Sequence, residues 1–383
     1  MMNRKTLFFI KIFLMICLTF PLIGCGSSPD NRSNPAVQTG TGNEMGWNAL
    51  GLWVEGIRAY RCSVREESIP EWQTAFTEDN ALMLWAMSKT MYSWSHRQGY
   101  GWKIRDYLLS QRNALSEFYR GKQSGTNDNH FVQLTEGCYV PFMPLWGIAV
   151  YSIAYPDQAG LQSAAVYKNL IDSTLAHQAE VVAAGTNDSR NYTASMGFHM
   201  ATAARWGKYR NNDTFVGYAK NAWDFIKLRQ QTDGTFYETP EGIMYPLRHI
   251  QTLWAMIETI NVIGDYNGLG QSIVNASNAL HVSQNYPAGF YLRNDYRPDL
   301  YNDNDCTQLQ IAAGFAYLSQ TVKDSPQAVH AKNWTSQNKY VIKSSPSGYT
   351  YDTWITSNET GLNHTGTQEG NSLAWLVDWW AAQ

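Results

Sequence analysis

The chain has 383 residues, with 29 Lys+Arg against 32 Asp+Glu, and its formal net charge is -3. No run of basic residues is present, which argues against a nucleic-acid-binding protein. Charged residues make up only 16% and aromatic residues 14%, including 15 Trp and 23 Tyr. Some of these rings belong to a core, and the surplus also suits stacking on the flat apolar faces of sugars.

The N-terminus has the pattern of a secretory signal. Arg4 and Lys5 precede an apolar run over residues 7–23, which Lys11 interrupts, and this run ends in Leu22-Ile23-Gly24-Cys25. These features predict a signal peptide over 1–24. The last four residues resemble the bacterial lipoprotein box, which implies lipidation of Cys25, and Gly26 favours the outer membrane. An uncleaved anchor is the alternative, although the run is short for a membrane span.

Residues 25–43 are rich in Ser, Gly, Asn, Thr and Pro and predict a flexible tether. No second linker of this kind follows, so residues 44–383 are expected to form one catalytic domain. Loss of the signal peptide leaves 26 basic against 32 acidic residues, a charge of -6. Cys62, Cys138 and Cys306 have no metal-binding spacing. Small buried residues are the simplest interpretation, with one disulfide left open.

The remaining chain predicts helical hairpins separated by five long polar loops. Helices that follow the long loops begin near residues 81, 141, 195, 246, 306 and 372, roughly every 50 to 65 residues. The predicted helices cover 47–60, 81–95, 104–119, 141–154, 161–184, 195–209, 214–231, 246–260, 269–282, 306–318, 327–341 and 372–382. We therefore predict an all-α protein, an α/α toroid (barrel) of about six hairpins, with seven as a variant. An open superhelix is the alternative.

A closed ring would place the long loops at one mouth, where a cleft is expected. The loops and the first turns after them are rich in Tyr, His, Asn and Arg. The candidate residues are Asn129, His130, Asn187, Arg190, Asn191, Tyr192, His199, Tyr237, Tyr245, Arg248, His249, Arg293, Tyr296, Arg297, Tyr301, Tyr349 and His364.

This combination of a lipoprotein signal, a helical toroid and a Tyr/His/Asn/Arg mouth resembles the polysaccharide lyases that cleave alginate and related polyuronates. Met244-Tyr-Pro-Leu-Arg-His-Ile-Gln-Thr-Leu-Trp-Ala-Met-Ile-Glu258 resembles the alginate lyase segment Arg-Ala-Leu-x-Tyr-His-Asn-Tyr-Ala-Leu. His249 then takes the place of the catalytic tyrosine of that family. The family's Asn-Asn-His motif has no clean copy, and Arg190-Asn191-Tyr192 is its nearest counterpart. The resemblance implies β-elimination on an acidic polysaccharide by a monomer without a cofactor.

β-Elimination needs a base for the C5 proton, a donor that stabilises the enediolate and an acid for the leaving oxygen. We assign proton transfer to Tyr296 or Tyr301 together with His249, and the uronate carboxylate to Asn191 and Arg297. The predicted substrate-binding residues are Asn129, His130, Tyr192, His199, Tyr245, Arg248 and Arg293. Several have plain structural interpretations as well: His249 and His199 as packed core residues, Asn191 as a turn residue, and Arg297 as a partner of nearby aspartates.

Two other classes stay open. An inverting glycoside hydrolase on the same scaffold needs two carboxylates about 6.5–9.5 Å apart. No adjacent Asp-Asp pair occurs, which argues against one large family of toroid hydrolases. The available carboxylates are Glu136, Asp188, Glu238, Glu241, Asp303 and Asp305. The third class is a lipid-anchored glycan-binding protein without catalysis.

Overall fold

The fold was analysed in a computed structural model. The structure describes residues 53–60, 74–89, 99–124, 131–137, 140–185, 188–239, 242, 246–282, 290–292, 339–342 and 351–354. All of these belong to one compact unit within Gly40–Gln383.

Four helices with few exposed residues form an inner layer. They are α1 (Thr77–Lys89), α3 (Met143–Ala154), α5 (Thr193–Arg210) and α7 (Pro246–Ile263). Each packs against the next inner helix along the chain. Nearly every residue of α3 and α5 is buried, including their small and polar residues. Helices that are covered on all sides belong to the centre of a helical assembly.

Four return helices form an outer layer. They are α2 (Tyr100–Ser110), α4 (Ala164–Ala184), α6 (Asp213–Lys227) and α8 (Leu269–Ala279). In α6 the buried residues recur every three to four positions, from Phe215 through Ala219, Ala222 and Trp223 to Ile226. This spacing gives one apolar stripe, so each outer helix covers its inner partner and leaves its other face to solvent.

An aromatic layer fills the centre of the inner helices. Trp254 of α7 lies 4.9 Å from Trp146, 5.0 Å from Phe198 and 5.8 Å from Trp85, measured between ring centroids. The two Trp–Trp pairs are edge-to-face, the arrangement that the ring quadrupole favours. Since these rings come from α1, α3, α5 and α7, one layer ties all four inner helices together.

The described helices form four hairpins, each an inner helix, a connection and an outer helix. Two connections from an inner to an outer helix are short, 211–212 between α5 and α6 and 264–268 between α7 and α8. Outer helices lead back to inner ones through longer segments that include 111–124, 131–137 and 228–239. The predicted order of helix, short turn, helix and long loop therefore holds for the hairpins α5–α6 and α7–α8, whereas the connection 185–192 between α4 and α5 is no longer than 155–163 between α3 and α4. The predicted helices 306–318 and 372–382 lie outside the described residues.

Short strands replace helix at several predicted helical positions. The prediction of a helix over 47–60 is wrong at its described end, because β1 (Trp53–Val54) pairs with β2 (Ala59–Tyr60) across a turn. Arg58 has φ 59° in that turn. The Asn80 side chain accepts from the Tyr60 backbone N at 2.9 Å and donates to the Tyr60 carbonyl at 3.0 Å. This tertiary contact overrides the helical pattern.

The predicted helix 104–119 also ends early, at Ser110 rather than Tyr119. Asn113 accepts hydrogen bonds from the backbone N of Leu115 at 2.9 Å and of Glu117 at 3.0 Å, which stabilises a turn. A sheet of β3 (Thr74–Phe76), β4 (Tyr119–Ser124) and β5 (Phe131–Gly137) follows, with order β3-β4-β5 and antiparallel pairs.

Two antiparallel hairpins complete the described strands. They are β6 (Leu280–Val282) with β7 (Phe290–Leu292), and β8 (Lys339–Ile342) with β9 (Tyr351–Trp354). The predicted helices 269–282 and 327–341 therefore end in strand at their last residues. Among the residues that the structure describes, no helix has the length and apolar character of a membrane span.

Candidate active site

A buried carboxyl group lies where the connection after α6 meets the beginning of inner helix α5. Glu238 is only 3% exposed. Its Oε2 accepts a hydrogen bond from the backbone N of Ala194 at 3.1 Å, and its backbone carbonyl accepts from the Thr193 N at 3.0 Å. The positive end of the α5 dipole favours an anion there. The connection before α7 is thereby joined to the N-terminal end of α5.

Arg229 joins the same segments from the end of α6. Its Nη1 donates to the Asn191 carbonyl at 2.5 Å, to Thr193 Oγ1 at 3.2 Å and to the Glu238 carbonyl at 3.2 Å. Three acceptors for one charged donor make this guanidinium a clamp between the connections that precede α5 and α7.

Burial governs the charge of the Glu238 carboxyl. It raises the pKa of Glu238 from 4.5 to about 7, while Arg248, the Ala194 N–H and Arg229 act against this rise. A carboxyl group that is about half protonated at pH 7 can donate a proton to a leaving oxygen. The raised pKa of Glu238 is the property that a general acid requires near neutral pH.

Arg248 and His249 open inner helix α7, as the sequence predicted, but both side chains are buried. Arg248 Nη1 donates to Gln251 Oε1 at 2.7 Å. His249 is 2% exposed, and its Nε2 lies 2.9 Å from the Ala276 carbonyl of α8, beside the ring of Phe236. Desolvation lowers the pKa of His249 to about 4. The imidazole is therefore neutral and faces outer helix α8; its predicted proton transfer stays a prediction.

Asn191 and His199 are also directed into the fold. The Asn191 side-chain amide is buried and donates to the Val181 carbonyl at 3.5 Å. His199 is 1% exposed, with its Nδ1 3.3 Å from Gln178 Oε1 and its ring beside Phe142 and Tyr218. Desolvation lowers its pKa to about 3. Tyr192 is half-buried at the N-terminal end of α5.

The described cations of the predicted set already have protein partners. Arg190 pairs with Asp188 at 2.6 Å and also with Glu117, across two connections at the same end. These contacts raise the pKa of Arg190, the hydrogen bond to Asp188 being the largest cause. The other predicted residues, Asn129, His130, Tyr245, Arg293, Tyr296, Arg297 and Tyr301, lie outside the described residues, as does Cys25.

Sequence reasoning treated Glu238 only as a member of the hydrolase alternative and missed Arg229 and the acidic Glu78-Asp79 pair that opens α1. Asp79 is buried in the first turn, and Glu78 accepts from the Val140 N at 2.6 Å. Acidic residues in a first helical turn are the available signal for this pair. No group of three or more His, Cys, Asp or Glu that could hold a metal occurs in the described chain.

No protein-family profile and no curated protein matches the sequence significantly. Solved structures do match in fold. An inactive alpha-1,6-mannanase variant from Salegentibacter, solved with alpha-1,6-mannotriose, has a TM-score of 0.56 at 10% identity, covering 87% of this chain and 96% of its own. A family 76 glycoside hydrolase from a bovine Bacteroides thetaiotaomicron strain has a TM-score of 0.56 at 9% identity, covering 88% of this chain and 76% of its own. Cellobiose 2-epimerase from Spirochaeta thermophila has a TM-score of 0.53 at 11% sequence identity, covering 88% of this chain and 92% of its own.

These likenesses, with the alternation of inner and outer helices, confirm the predicted all-α α/α toroid. None of these three proteins is a lyase. They are two glycoside hydrolases and an epimerase, so the structural comparison agrees with the scaffold of the predicted lyase and not with its family.

Proposed function

We propose that this chain is a glycoside hydrolase that cleaves a polysaccharide at the mouth where the inner helices begin. The observation that carries the proposal is Glu238, a carboxyl group held against the N-terminal end of α5 with its pKa raised to about 7. Hydrolysis of a glycosidic bond needs a carboxylic acid with a raised pKa to protonate the leaving oxygen. The fold shared with glycoside hydrolases supports the same chemistry.

The second carboxylate of such a pair is to be found among the acidic residues at the same end. Asp188 forms an ion pair with Arg190 in the connection before α5, and Asp79 is 5% exposed in the first turn of inner helix α1. We assign the base to Asp79 because it lies at the N-terminal end of inner helix α1, as Glu238 lies at the N-terminal end of inner helix α5. The mannanase variant above is inactive with two consecutive aspartates replaced, and this chain has no Asp-Asp pair, so its carboxylates are arranged differently.

The substrate that we propose first is a neutral alpha-linked mannan, because mannanases share this fold. The polyuronate of the lyase interpretation is less favoured by the described side chains. Of the four arginines at the predicted mouth, Arg190 is paired with two carboxylates and Arg248 is buried against Gln251. The charge of Arg190 is compensated, and Arg248 is only 5% exposed, so neither guanidinium presents a free charge at the surface to a polyanion.

A product assay tests the proposal. The purified protein is incubated with alpha-1,6-mannan, with neutral beta-linked glycans and with alginate and glucuronan, and both reducing ends and ultraviolet absorbance are followed. A hydrolase raises reducing ends without new absorbance. Unsaturated ends that absorb in the ultraviolet would instead establish the lyase, and a changed sugar without new reducing ends would establish an epimerase. Binding of a glycan without any product would indicate a glycan-binding protein without catalysis.

Asp79→Asn and Asp188→Asn separate the two candidates for the base. We expect Asp79→Asn to abolish hydrolysis and to regain turnover with added azide, a small nucleophile that replaces an activated water. Asp188→Asn should keep most of the activity because its carboxylate is engaged by Arg190. The reverse result would assign the base to Asp188.

We also propose that the enzyme is an outer-membrane lipoprotein anchored through Cys25, on the strength of the Leu22-Ile23-Gly24-Cys25 sequence. A Cys25→Ser form should stay unprocessed or become soluble on fractionation. A variant that is processed and membrane-bound like the wild type would show that Cys25 is not lipidated.

A further inference from the structure

A small cavity lies at the end of the inner helices opposite Glu238. It has a volume of about 110 Å³ and is lined by Trp85, Ser88, Val150, Ile153, Ala154 and Arg205. These residues fall in the C-terminal halves of α1, α3 and α5, whereas Glu238 binds the first turn of α5. The helical rise between Ala194 and Arg205 separates the two ends by about 16 Å.

Arg205 is the charged group of this cavity, and a buried carboxylate fixes it. Its Nε donates to Glu258 Oε2 at 3.0 Å, and its Nη2 donates to the same oxygen. The Glu258 side chain is 2% exposed and the Arg205 side chain 36%. The guanidinium also lies 5.8 Å from the Trp146 ring centroid. Within the described chain, Arg205 Nη1 has no hydrogen-bond partner, so this edge of the guanidinium is available to a ligand.

The other walls complete a mixed polar and apolar surface. Ser88 Oγ donates to the Trp85 carbonyl at 2.5 Å and keeps its lone pairs as acceptors. The indole of Trp85 and the side chains of Val150, Ile153 and Ala154 supply apolar contact. A donor, an acceptor and an apolar wall match a sugar ring, whose hydroxyl groups alternate with C–H surface.

We propose that this cavity binds a single neutral sugar ring and is a non-catalytic site distinct from the mouth at Glu238. Glu258 compensates the charge of Arg205, so the site favours hydroxyl groups over a small anion. The volume is well below the roughly 300–1,000 Å³ of pockets for drug-sized ligands, which limits occupancy to one ring. This site is independent of the hydrolase assignment, because none of its residues belongs to the catalytic set.

Titration with D-mannose, D-glucose and acetate, followed by calorimetry and tryptophan fluorescence, tests the site. We expect a neutral monosaccharide to bind both the wild type and Glu238→Gln with equal affinity. Ala154 is exposed at the rim, so Ala154→Phe fills the cavity without disturbing the Arg205–Glu258 pair. This variant should weaken binding at least tenfold. Ala183→Phe on an exposed face of α4 is the matched control and should bind normally.

Arg205→Lys supplies a second variant if Ala154→Phe does not fold. It keeps a cation beside Glu258 and removes the planar fork, and it should weaken binding several-fold. Four results would overturn the proposal: no binding of either monosaccharide to the wild type, acetate as the sole ligand, full affinity in a folded Ala154→Phe variant, or loss of binding in Glu238→Gln.

Discussion

The Glu238 carboxylate and the backbone N–H of Ala194 form a 3.1 Å hydrogen bond at the first turn of an inner helix. Two opposing effects meet in this contact. The helix terminus and nearby arginines favour the ionised carboxylate, whereas burial favours the neutral acid, and burial is the larger. The group consequently changes charge near neutral pH, where it is useful as a proton donor.

The first prediction concerns the rate of hydrolysis. Glu238→Gln keeps the volume of the side chain and an acceptor for Ala194 but removes the transferable proton. We expect turnover to fall by about 10²–10⁴-fold with little change in the folded structure. The measurement is kcat against pH on the glycan that the product assay shows to be hydrolysed. Wild-type activity should decline as pH rises through about 7, the pKa of the buried acid.

The control is Glu180→Gln, an exposed carboxylate on α4 whose loss should leave the rate and the pH profile unchanged. An alkaline decline that persists unaltered in Glu238→Gln would show that another group is the acid.

The second prediction follows from proton linkage at Glu238. Its folded pKa of about 7 lies above the ordinary 4.5, so the folded state binds more protons than the unfolded state between these values. The contribution of this group to stability is therefore fully present below about pH 4.5 and is lost as pH rises to 7. The difference amounts to about 3 kcal/mol.

Urea unfolding of the wild type and of Glu238→Gln at several pH values measures the contribution of Glu238 protonation to the free energy of unfolding. The free energy of unfolding of the variant, relative to wild type, should improve steadily between pH 4.5 and 7. A constant difference across that interval would mean that Glu238 titrates normally.

The third prediction has the opposite sign and concerns His199. Desolvation lowers its folded pKa from 6.5 to about 3, so the unfolded state binds more protons in between. Stability from the neutral imidazole is present above pH 6.5 and declines as the solution becomes more acidic. In His199→Asn the free energy of unfolding should depend less on pH between 4 and 6.5. His177→Asn is the comparison, because the His177 side chain is partly exposed, at 32%, and lies on outer helix α4. Identical pH slopes in wild type and His199→Asn would contradict the prediction.

The fourth prediction tests the clamp at Arg229. Arg229→Met removes hydrogen bonds to the Asn191 carbonyl, Thr193 Oγ1 and the Glu238 carbonyl. Each buried acceptor then loses a charged donor, and we expect the free energy of unfolding to fall by about 1.5–3 kcal/mol or more. Arg210→Met, which breaks a partly exposed pair with Asp172, should cost at most about 1 kcal/mol. Equal effects of the two variants in thermal or urea unfolding would argue against the clamp.

Local signals were sufficient for most of the helices. Pro246 stands at the first position of α7, and Ile250, Leu253, Trp254 and Ile257 follow at helical spacing, so both the beginning and the buried face of α7 can be predicted from the sequence. The predicted helix over 47–60 was wrong in its described part because Asn80, twenty residues further along the chain, holds Tyr60 in a strand pair.

Periodicity and turn residues that are close together in the chain predict the helical hairpins and their repeat, and hence the toroid. Tertiary structure alone decided which polar side chains are buried and what they contact. His249 and Glu238 were both predicted near the mouth, yet His249 contacts Ala276 of an outer helix while Glu238 contacts Ala194 of an inner one. Desolvation depends on the atoms that pack around a group, and those atoms come from distant parts of the chain.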